Sequence, residues 1–353
     1  MSDGPHLRSL LFEVTQRCNH ACLHCYNVWQ GEATSARCRY PRGELDTRST
    51  LTLLGMALDQ TACQDVTLTG GEPLLRADLP VLLDFLQERN VRVTLISNGH
   101  LLDEVMCSTL IDHGVALFEL PLLGDCRAVH DRLSGAPGAW DAALAAMSSI
   151  RRDGGQFAAA FVATRVNIDA VYETIRIAFA FGTRAVMLNR FNPGGRGRLH
   201  LAELLPTVQQ VRDALSTAES AVQEFGIPVA CSIPIPPCLI DTGAYPHISF
   251  GYCSVGTEGA YYTIDPLGNV RPCNHSPMIL GNLFERSFAD ILASEGHAAF
   301  MAAMPEMCAA CPARDLCRGG CKAAAQACYG SAAMPEPFLL KGRLSLGPIA
   351  TTS

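Results

Sequence analysis

Over roughly the first 225 residues, short apolar runs alternate with longer stretches of helical periodicity. Runs with strand character fall at 10–14, 66–69, 91–96, 115–120, 157–163 and 185–188. Amphipathic stretches at 50–59, 79–89, 101–113, 140–151 and 171–181 separate or follow them, and a further helix is expected over 204–225. Strands alternating with helical patterns of about 10–15 residues imply crossover connections and a parallel sheet. Six such units predict an α/β chain that closes into a partial (β/α)6 barrel, with its functional groups at the carboxyl ends of the strands. Chemistry-bearing residues recur at those ends. Cys18 follows the first strand, Gly70-Gly71-Glu72-Pro73 the second and Ser97-Asn98-Gly99 the third. Glu119 closes the fourth, Arg165 and Asn167 the fifth, and the 189–198 segment the sixth.

The texture changes near residue 230. Pro228, Pro234, Pro236 and Pro237 interrupt regular structure, and 261–264, a turn over 265–269, and 270–271 read as a hairpin. Beyond Ser294 the chain is rich in Ala and Cys with little strand signal. The expected plan is a barrel domain over 1–230, a small, irregular α+β domain over 231–330, and a weakly packed tail over 331–353.

Composition narrows the function classes. The 27 basic and 34 acidic residues give a net charge of −7, which does not advertise a nucleic-acid surface. Residues 1–10 lack an apolar segment of secretory type, and no run approaches 18 uninterrupted apolar residues. No membrane association and a cytoplasmic location are therefore expected. Sixteen cysteines in 353 residues fall well below the roughly 8–10% of a small disulfide scaffold. In a reducing compartment such a number points to metal.

Spacing organises the cysteines. Cys18, Cys22 and Cys25 form CxxxCxxC on the loop after the first strand. Cys253 and Cys273 come much later, followed by Cys308, Cys311, Cys317, Cys321 and Cys328. Cys38, Cys63, Cys107, Cys126, Cys231 and Cys238 are scattered. Three thiolates within eight residues can hold three corners of a cuboidal iron–sulfur cluster, leaving the fourth iron open to a chelating ligand. A structural zinc site completed by His20 or His24 is the competing reading. The seven later thiols are too many for one tetrahedral ion, so at least two sites are needed there, with a pair of zinc ribbons as the alternative.

Two motifs in this order resemble the radical S-adenosylmethionine (SAM) enzymes. The segment Cys18-Asn19-His20-Ala21-Cys22-Leu23-His24-Cys25 is similar to their CxxxCxφC motif, with His24 in the aromatic position, and Gly70-Gly71-Glu72-Pro73 is similar to their GGEP segment. The resemblance implies a six-unit partial barrel. It also implies that SAM chelates the unique iron of a 4Fe–4S cluster on Cys18, Cys22 and Cys25. One-electron cleavage then yields a 5′-deoxyadenosyl radical that abstracts hydrogen from substrate. Gly70 and Gly71 would let the backbone approach SAM, and Glu72 would accept a bond from its ammonium. Ser97 and Asn98 are candidates for its ribose or carboxylate, or simply form a turn. The family often has serine near the end of the fourth strand, where this chain has Glu119. Arg132, within His130-Asp131-Arg132, is a further candidate for the SAM carboxylate, whereas a helix start accounts equally well for His130 and Asp131.

The array from Cys253 to Cys328 resembles the SPASM extension of that family, which binds two auxiliary 4Fe–4S clusters. The resemblance gives Cys253, Cys273 and Cys321 to one cluster and Cys308, Cys311, Cys317 and Cys328 to the other. Cys238 is the nearest thiol to complete the first. Otherwise one iron stays open there, and in some relatives a cysteine occupies the position of His247. Asn274 stands where the sulfatase-maturing branch has a catalytic Asp, which argues against that activity.

An auxiliary cluster is a suitable sink for the electron of a substrate radical. Epimerisation would instead need a hydrogen donor, for which Cys126 in the loop after the fourth strand is the one candidate at the active face. The loop with Arg196 and Arg198 is suited to a carboxylate or a peptide backbone. The expected substrate is a ribosomally made peptide, matured by an oxidative crosslink or other C–H modification. The alternative is dehydrogenation or epimerisation of a sugar or aminocyclitol. The first strand begins by about residue 9, so a separate leader-recognition protein is expected if the substrate is a peptide. The resemblance also implies an external one-electron donor such as a flavodoxin or ferredoxin. A pure electron carrier or a zinc-binding module are the readings outside enzymology.

Overall fold

The computed structural model describes residues 5–31 and 40–346, with side chains described as far as Arg343. Cys38 lies outside these residues. Among the described residues eleven strands form one sheet: β1 (Ser9–Thr15), β2 (Asp65–Gly70), β3 (Arg92–Ile96), β4 (Val115–Pro121), β5 (Phe157–Ala163), β6 (Ala185–Arg190), β7 (Val229–Cys231), β8 (Ile248–Phe250), β9 (Tyr261–Ile264), β10 (Asn269–Arg271) and β11 (Gly281–Asn282). Their order across the sheet is β11-β10-β9-β1-β2-β3-β4-β5-β6-β7-β8. From β1 to β8 every neighbouring pair is parallel, which gives the mixed α/β barrel architecture expected from the alternating pattern.

The helices between strands carry the crossovers: α1 (Thr47–Thr61), α2 (Leu79–Glu88), α3 (Glu104–Asp112), α4 (Arg127–Ser134), α5 (Ala139–Arg152), α6 (Val171–Ala180), α7 (Leu201–Leu204) and α8 (Val208–Phe225). Local chemistry sets their ends. Asp46 accepts from the Ser49 amide at 2.8 Å and starts α1 three residues earlier than its apolar period suggests. A reciprocal capping box between Thr207 and Gln210 opens α8, and Gly226 at φ 68° ends it. On α2, Leu79, Leu82, Leu83 and Leu86 form one buried stripe.

Alternation along the strands separates two environments. Leu10, Phe12 and Val14 of β1, with Val66 and Leu68 of β2, join the core beneath the helices. Glu13, Thr15 and Thr69 alternate with them, on the strand face away from that core.

After β8 the chain crosses to the opposite edge of the sheet. There β9 pairs parallel to β1, from Ser9↔Tyr261 to Phe12↔Ile264, and antiparallel to β10. The hairpin turn is closed by Asp265, whose Oδ1 accepts from the amides of Leu267 and Asn269 at 2.9 Å, with Gly268 at φ 86°. Short helices follow: α9 (Phe288–Leu292), α10 (Glu295–Ala302), α11 (Arg314–Cys317), α12 (Lys322–Tyr329) and α13 (Pro337–Leu346).

Part of the 331–353 segment expected as a weakly packed tail is well packed. Phe338 and Leu339 of α13 are 1% exposed, and Glu336 forms a buried ion pair with Arg190 of β6. Pro337 at the first helical position and two adjacent large apolar residues drive this docking. Among the described residues, no helix is long and apolar enough to cross a membrane.

Candidate radical SAM site

The three-cysteine loop leaves β1 and is held by backbone contacts. The His20 amide donates to Cys18 Sγ at 3.5 Å, and the Cys25 amide to the Cys22 carbonyl at 3.3 Å. Burial raises the Cys22 and Cys18 thiols above their ordinary range and pushes Cys25 up to about 11. Thiols in such a setting ionise readily only with a cation beside them. The Arg196 guanidinium lies near all three. It donates to the Cys22 carbonyl at 3.3 Å and to Gln30 Oε1 at 3.0 Å.

The Gly70–Glu72 turn is stitched to the same loop. The Gly71 amide donates to the Thr15 carbonyl and the Glu72 amide to the Arg17 carbonyl, both at 2.8 Å. A Cβ on Gly71 would lie 2.0 Å from the Arg17 carbonyl oxygen, and one on Gly70 would lie 2.3 Å from that of Thr15. The close approach that requires these glycines is thus to the backbone leaving β1. Asn27 completes the join, donating to the Gly70 carbonyl at 2.8 Å.

Glu72 is fully buried and brackets two strand ends. Its Oε1 accepts from Ser97 Oγ at 2.9 Å and from the Leu74 amide at 3.1 Å; its Oε2 accepts from the Asn98 amide at 2.7 Å. Burial raises its pKa, and these three donors act in the opposite direction. Ser97 and Asn98 therefore position the turn through Glu72. Asn98 also reaches the cysteine loop, donating to Asn19 Oδ1 at 2.7 Å.

The glycine-rich segment after β6 packs on the other side of the cysteine loop. The Gly197 amide donates to the Cys25 carbonyl at 2.9 Å, and a Cβ on Gly195 would stand 2.2 Å from the Asn27 carbonyl oxygen. Sequence reasoning aimed Arg196 at a substrate. Its hydrogen bonds instead run to the cysteine loop.

Other expected residues have varied settings. His24 is largely enclosed, and burial lowers its pKa to about 4; its Nδ1 has no hydrogen-bond partner among the described residues. His130 Nδ1 accepts from the Leu123 amide at 3.2 Å inside α4. Asp131 caps the following helix, accepting from the Gly138 and Trp140 amides at 2.8 and 2.9 Å. Arg132 is more than half exposed and pairs with Glu203 at 2.7 Å. Cys126 is exposed at the N-cap of α4. Glu119 alternates along β4 with the core residues Phe118 and Leu120, and burial pushes its pKa up to about 7.

Sequence reasoning missed the bridge between the two cysteine regions. The Tyr26 ring lies 4.3 Å from that of His275, and Asn192 Nδ2 bonds His275 Nδ1 at 3.2 Å and Cys321 Sγ at 3.3 Å. Tyr26 directly follows the first motif and His275 follows Cys273 by two, so adjacency to cysteine was the available signal.

The C-terminal thiols lie in two groups. Cys273 packs against Cys321, and the enclosed Tyr261 hydroxyl is held above the usual phenol range by burial and by Cys273, Cys321 and Cys253 nearby. Cys238, Cys308, Cys311 and Cys317 line a separate cavity. None of the described cysteines is disulfide-bonded. No three His, Cys, Asp or Glu side chains among the described residues gather about a single ion; a cuboidal cluster holds its thiolates farther apart than one ion does. The residues present fit iron–sulfur clusters and a SAM-binding turn.

Comparison with known proteins agrees. Residues 12–178 match the model of the radical SAM superfamily, and 253–312 match SPASM, an iron–sulfur cluster-binding domain. A PqqA peptide cyclase of Xanthomonas euvesicatoria pv. vesicatoria is 30% identical, the match covering 96% of this chain and 88% of that one. The chain belongs to the radical SAM family. It is a radical SAM enzyme with a C-terminal SPASM domain, binding SAM and iron–sulfur clusters. The PqqA peptide cyclase of Xanthomonas campestris pv. campestris is 29% identical over 99% of this chain and 91% of its own length. Among solved structures, Streptococcus suis SuiB bound to its precursor peptide SuiA has the same fold. Its TM-score is 0.73 at 15% identity, over 95% of this chain and 76% of that one.

Proposed function

We propose that this radical SAM enzyme matures a peptide by an oxidative crosslink or related C–H modification. On this reading it carries three 4Fe–4S clusters and receives electrons from a small donor such as a flavodoxin or ferredoxin. One observation carries the peptide reading: the match to peptide cyclases runs over nearly the full length of both chains. Cys18, Cys22 and Cys25 would hold the SAM-binding cluster, and the turn fixed by Glu72 would hold SAM. Bound there, SAM supplies a 5′-deoxyadenosyl radical on one-electron cleavage of its sulfonium. The chain's own residues keep the site in register: Ser97 and Asn98 hold Glu72, and Gly195 to Gly197 hold the cysteine loop.

The test is anaerobic reconstitution followed by turnover with a candidate precursor peptide. Three clusters correspond to about twelve irons per chain. Dithionite and SAM should yield 5′-deoxyadenosine together with peptide lighter by two hydrogens. 5′-Deoxyadenosine formed while the peptide mass stays unchanged would count against the peptide reading.

A further inference from the structure

The ligand sets carried over from the family's cysteine order leave one thiol misplaced. The cavity that holds Cys308, Cys311 and Cys317 is also walled by Cys238. Cys328 is not among its walls; it neighbours Cys321, Arg198 and Glu336 instead.

The backbone explains how Cys238 gets there. Pro236 and Pro237 fix the approach, and the amides of Leu239 and Ile240 both donate to the Pro236 carbonyl, at 2.9 and 3.2 Å. This tight turn presents Cys238 at its apex, exposed itself, while buried Leu239 and Ile240 anchor it. The Cys311 amide donates to the Cys308 carbonyl at 3.1 Å, which closes the CxxC segment into a turn with both cysteines lining the cavity. Gly319 and Gly320, at φ 84° and 81°, then bend the chain past Cys317. An added Cβ on Gly320 would lie 3.1 Å from Glu336 Oε1 and in ordinary contact with the Pro236 ring at 3.6 Å.

The charge of the cavity agrees with its thiols. Arg314 and Arg343 also line it, and Arg343 Nε is buried without a hydrogen-bond partner among the described residues. A buried arginine Nε without a hydrogen-bond partner beside four thiols suits an occupant that needs sulfur ligands and carries net negative charge once ligated. A 4Fe–4S cluster with four thiolates has both properties.

We propose that Cys238, Cys308, Cys311 and Cys317 are the four ligands of one auxiliary cluster, and that Cys328 lies outside it. This rests on the reading that the SPASM region carries auxiliary clusters. The assignment separates Cys238 from the Cys253, Cys273 and Cys321 set that chain order would have it complete.

Alkylation of the anaerobically reconstituted holoprotein with iodoacetamide, mapped by mass spectrometry alongside iron content, tests it. In the parent protein Cys238 should be protected while Cys126 labels. Cys238→Ala should lose iron equivalent to one cluster and expose Cys308, Cys311 and Cys317 to label, with Cys253, Cys273 and Cys321 still protected. Cys328→Ala should leave Cys308, Cys311 and Cys317 protected. A spectral response to SAM, retained in both variants, establishes that the barrel is folded. Labelling of the Cys253 set in Cys238→Ala, no new labelling at all, or exposure of the Cys308 set in Cys328→Ala would each overturn the assignment. Iron-free parent protein would overturn the auxiliary-cluster reading beneath it, a distinguishable failure.

Discussion

The Glu13 carboxylate and the Arg271 guanidinium, 258 positions apart, form an ion pair with neither side chain exposed to solvent. The pair joins the first barrel strand to the C-terminal hairpin. Arg271 also donates to the carbonyls of Asn274 and Ser276, at 3.2 and 3.0 Å, and stands 5.4 Å from the Tyr40 ring. Removing one partner leaves a buried charge unpaired, which costs about 3–5 kcal/mol. Arg271→Met should therefore lower the urea midpoint sharply, and Glu13→Gln combined with it should restore part of the loss. An unchanged midpoint in Arg271→Met would contradict a structural role for the pair.

Ser97→Ala removes one of three donors from a buried carboxylate. Hydrogen bonds to charged groups contribute about 1.5–3 kcal/mol, and a loss of that order is expected in denaturant titration. Ser97→Thr keeps the hydroxyl and should lose less. Equal losses in the two variants would show that packing, rather than the bond to Glu72, matters at this position.

Gly195 and Gly138 separate backbone strain from contact. Both have positive φ, but Gly138 has nothing within 4 Å of an added Cβ, whereas Gly195 meets the Asn27 carbonyl oxygen. Gly138→Ala should cost about 1–2 kcal/mol from the left-handed backbone alone. Gly195→Ala should cost more and should also lower iron at the Cys18, Cys22 and Cys25 site. Equal iron content in both variants would refute a clamping role for the 194–197 segment.

Glu119 sets a pH dependence. Burial raises its pKa from an ordinary 4.5 to about 7, so across that window the folded chain keeps a proton the unfolded chain has released. Its contribution to stability is present below pH 4.5 and declines as pH rises toward 7. In the cluster-free protein, Glu119→Gln should flatten this part of the stability profile, measured as urea midpoint against pH. The same slope in the variant would rule Glu119 out as its source.

The six barrel strands were legible because each combines an apolar run with a helical crossover, two signals that reinforce one another. The three-residue strands β7 and β8 were not, since Val229–Cys231 and Ile248–Phe250 are too short to express a period of two. Glycines marked the right loops for a reason only the fold supplies. Gly70, Gly71 and Gly195 press on neighbouring backbone, and sequence spacing cannot name a neighbour so distant in the chain. Arg196 shows the same limit: an arginine beside glycines reads as a substrate clamp until the cysteine loop is seen beneath it. The Glu13–Arg271 pair and the Tyr26–His275–Asn192 bridge depend on β9 lying beside β1, a placement that no local pattern encodes.

That placement also governs distance. The first cysteine loop leaves the end of β1, and Cys273 leaves the end of β10, so both thiol groups hang from one hydrogen-bonded ladder running through β9. Sliding β9 by one residue along β1 would move one group relative to the other by about 3.3 Å. The separation between the two thiol groups is therefore set in whole residues by strand register. Lengthening the 232–247 connection should leave it unchanged, whereas a single insertion in β9 should not.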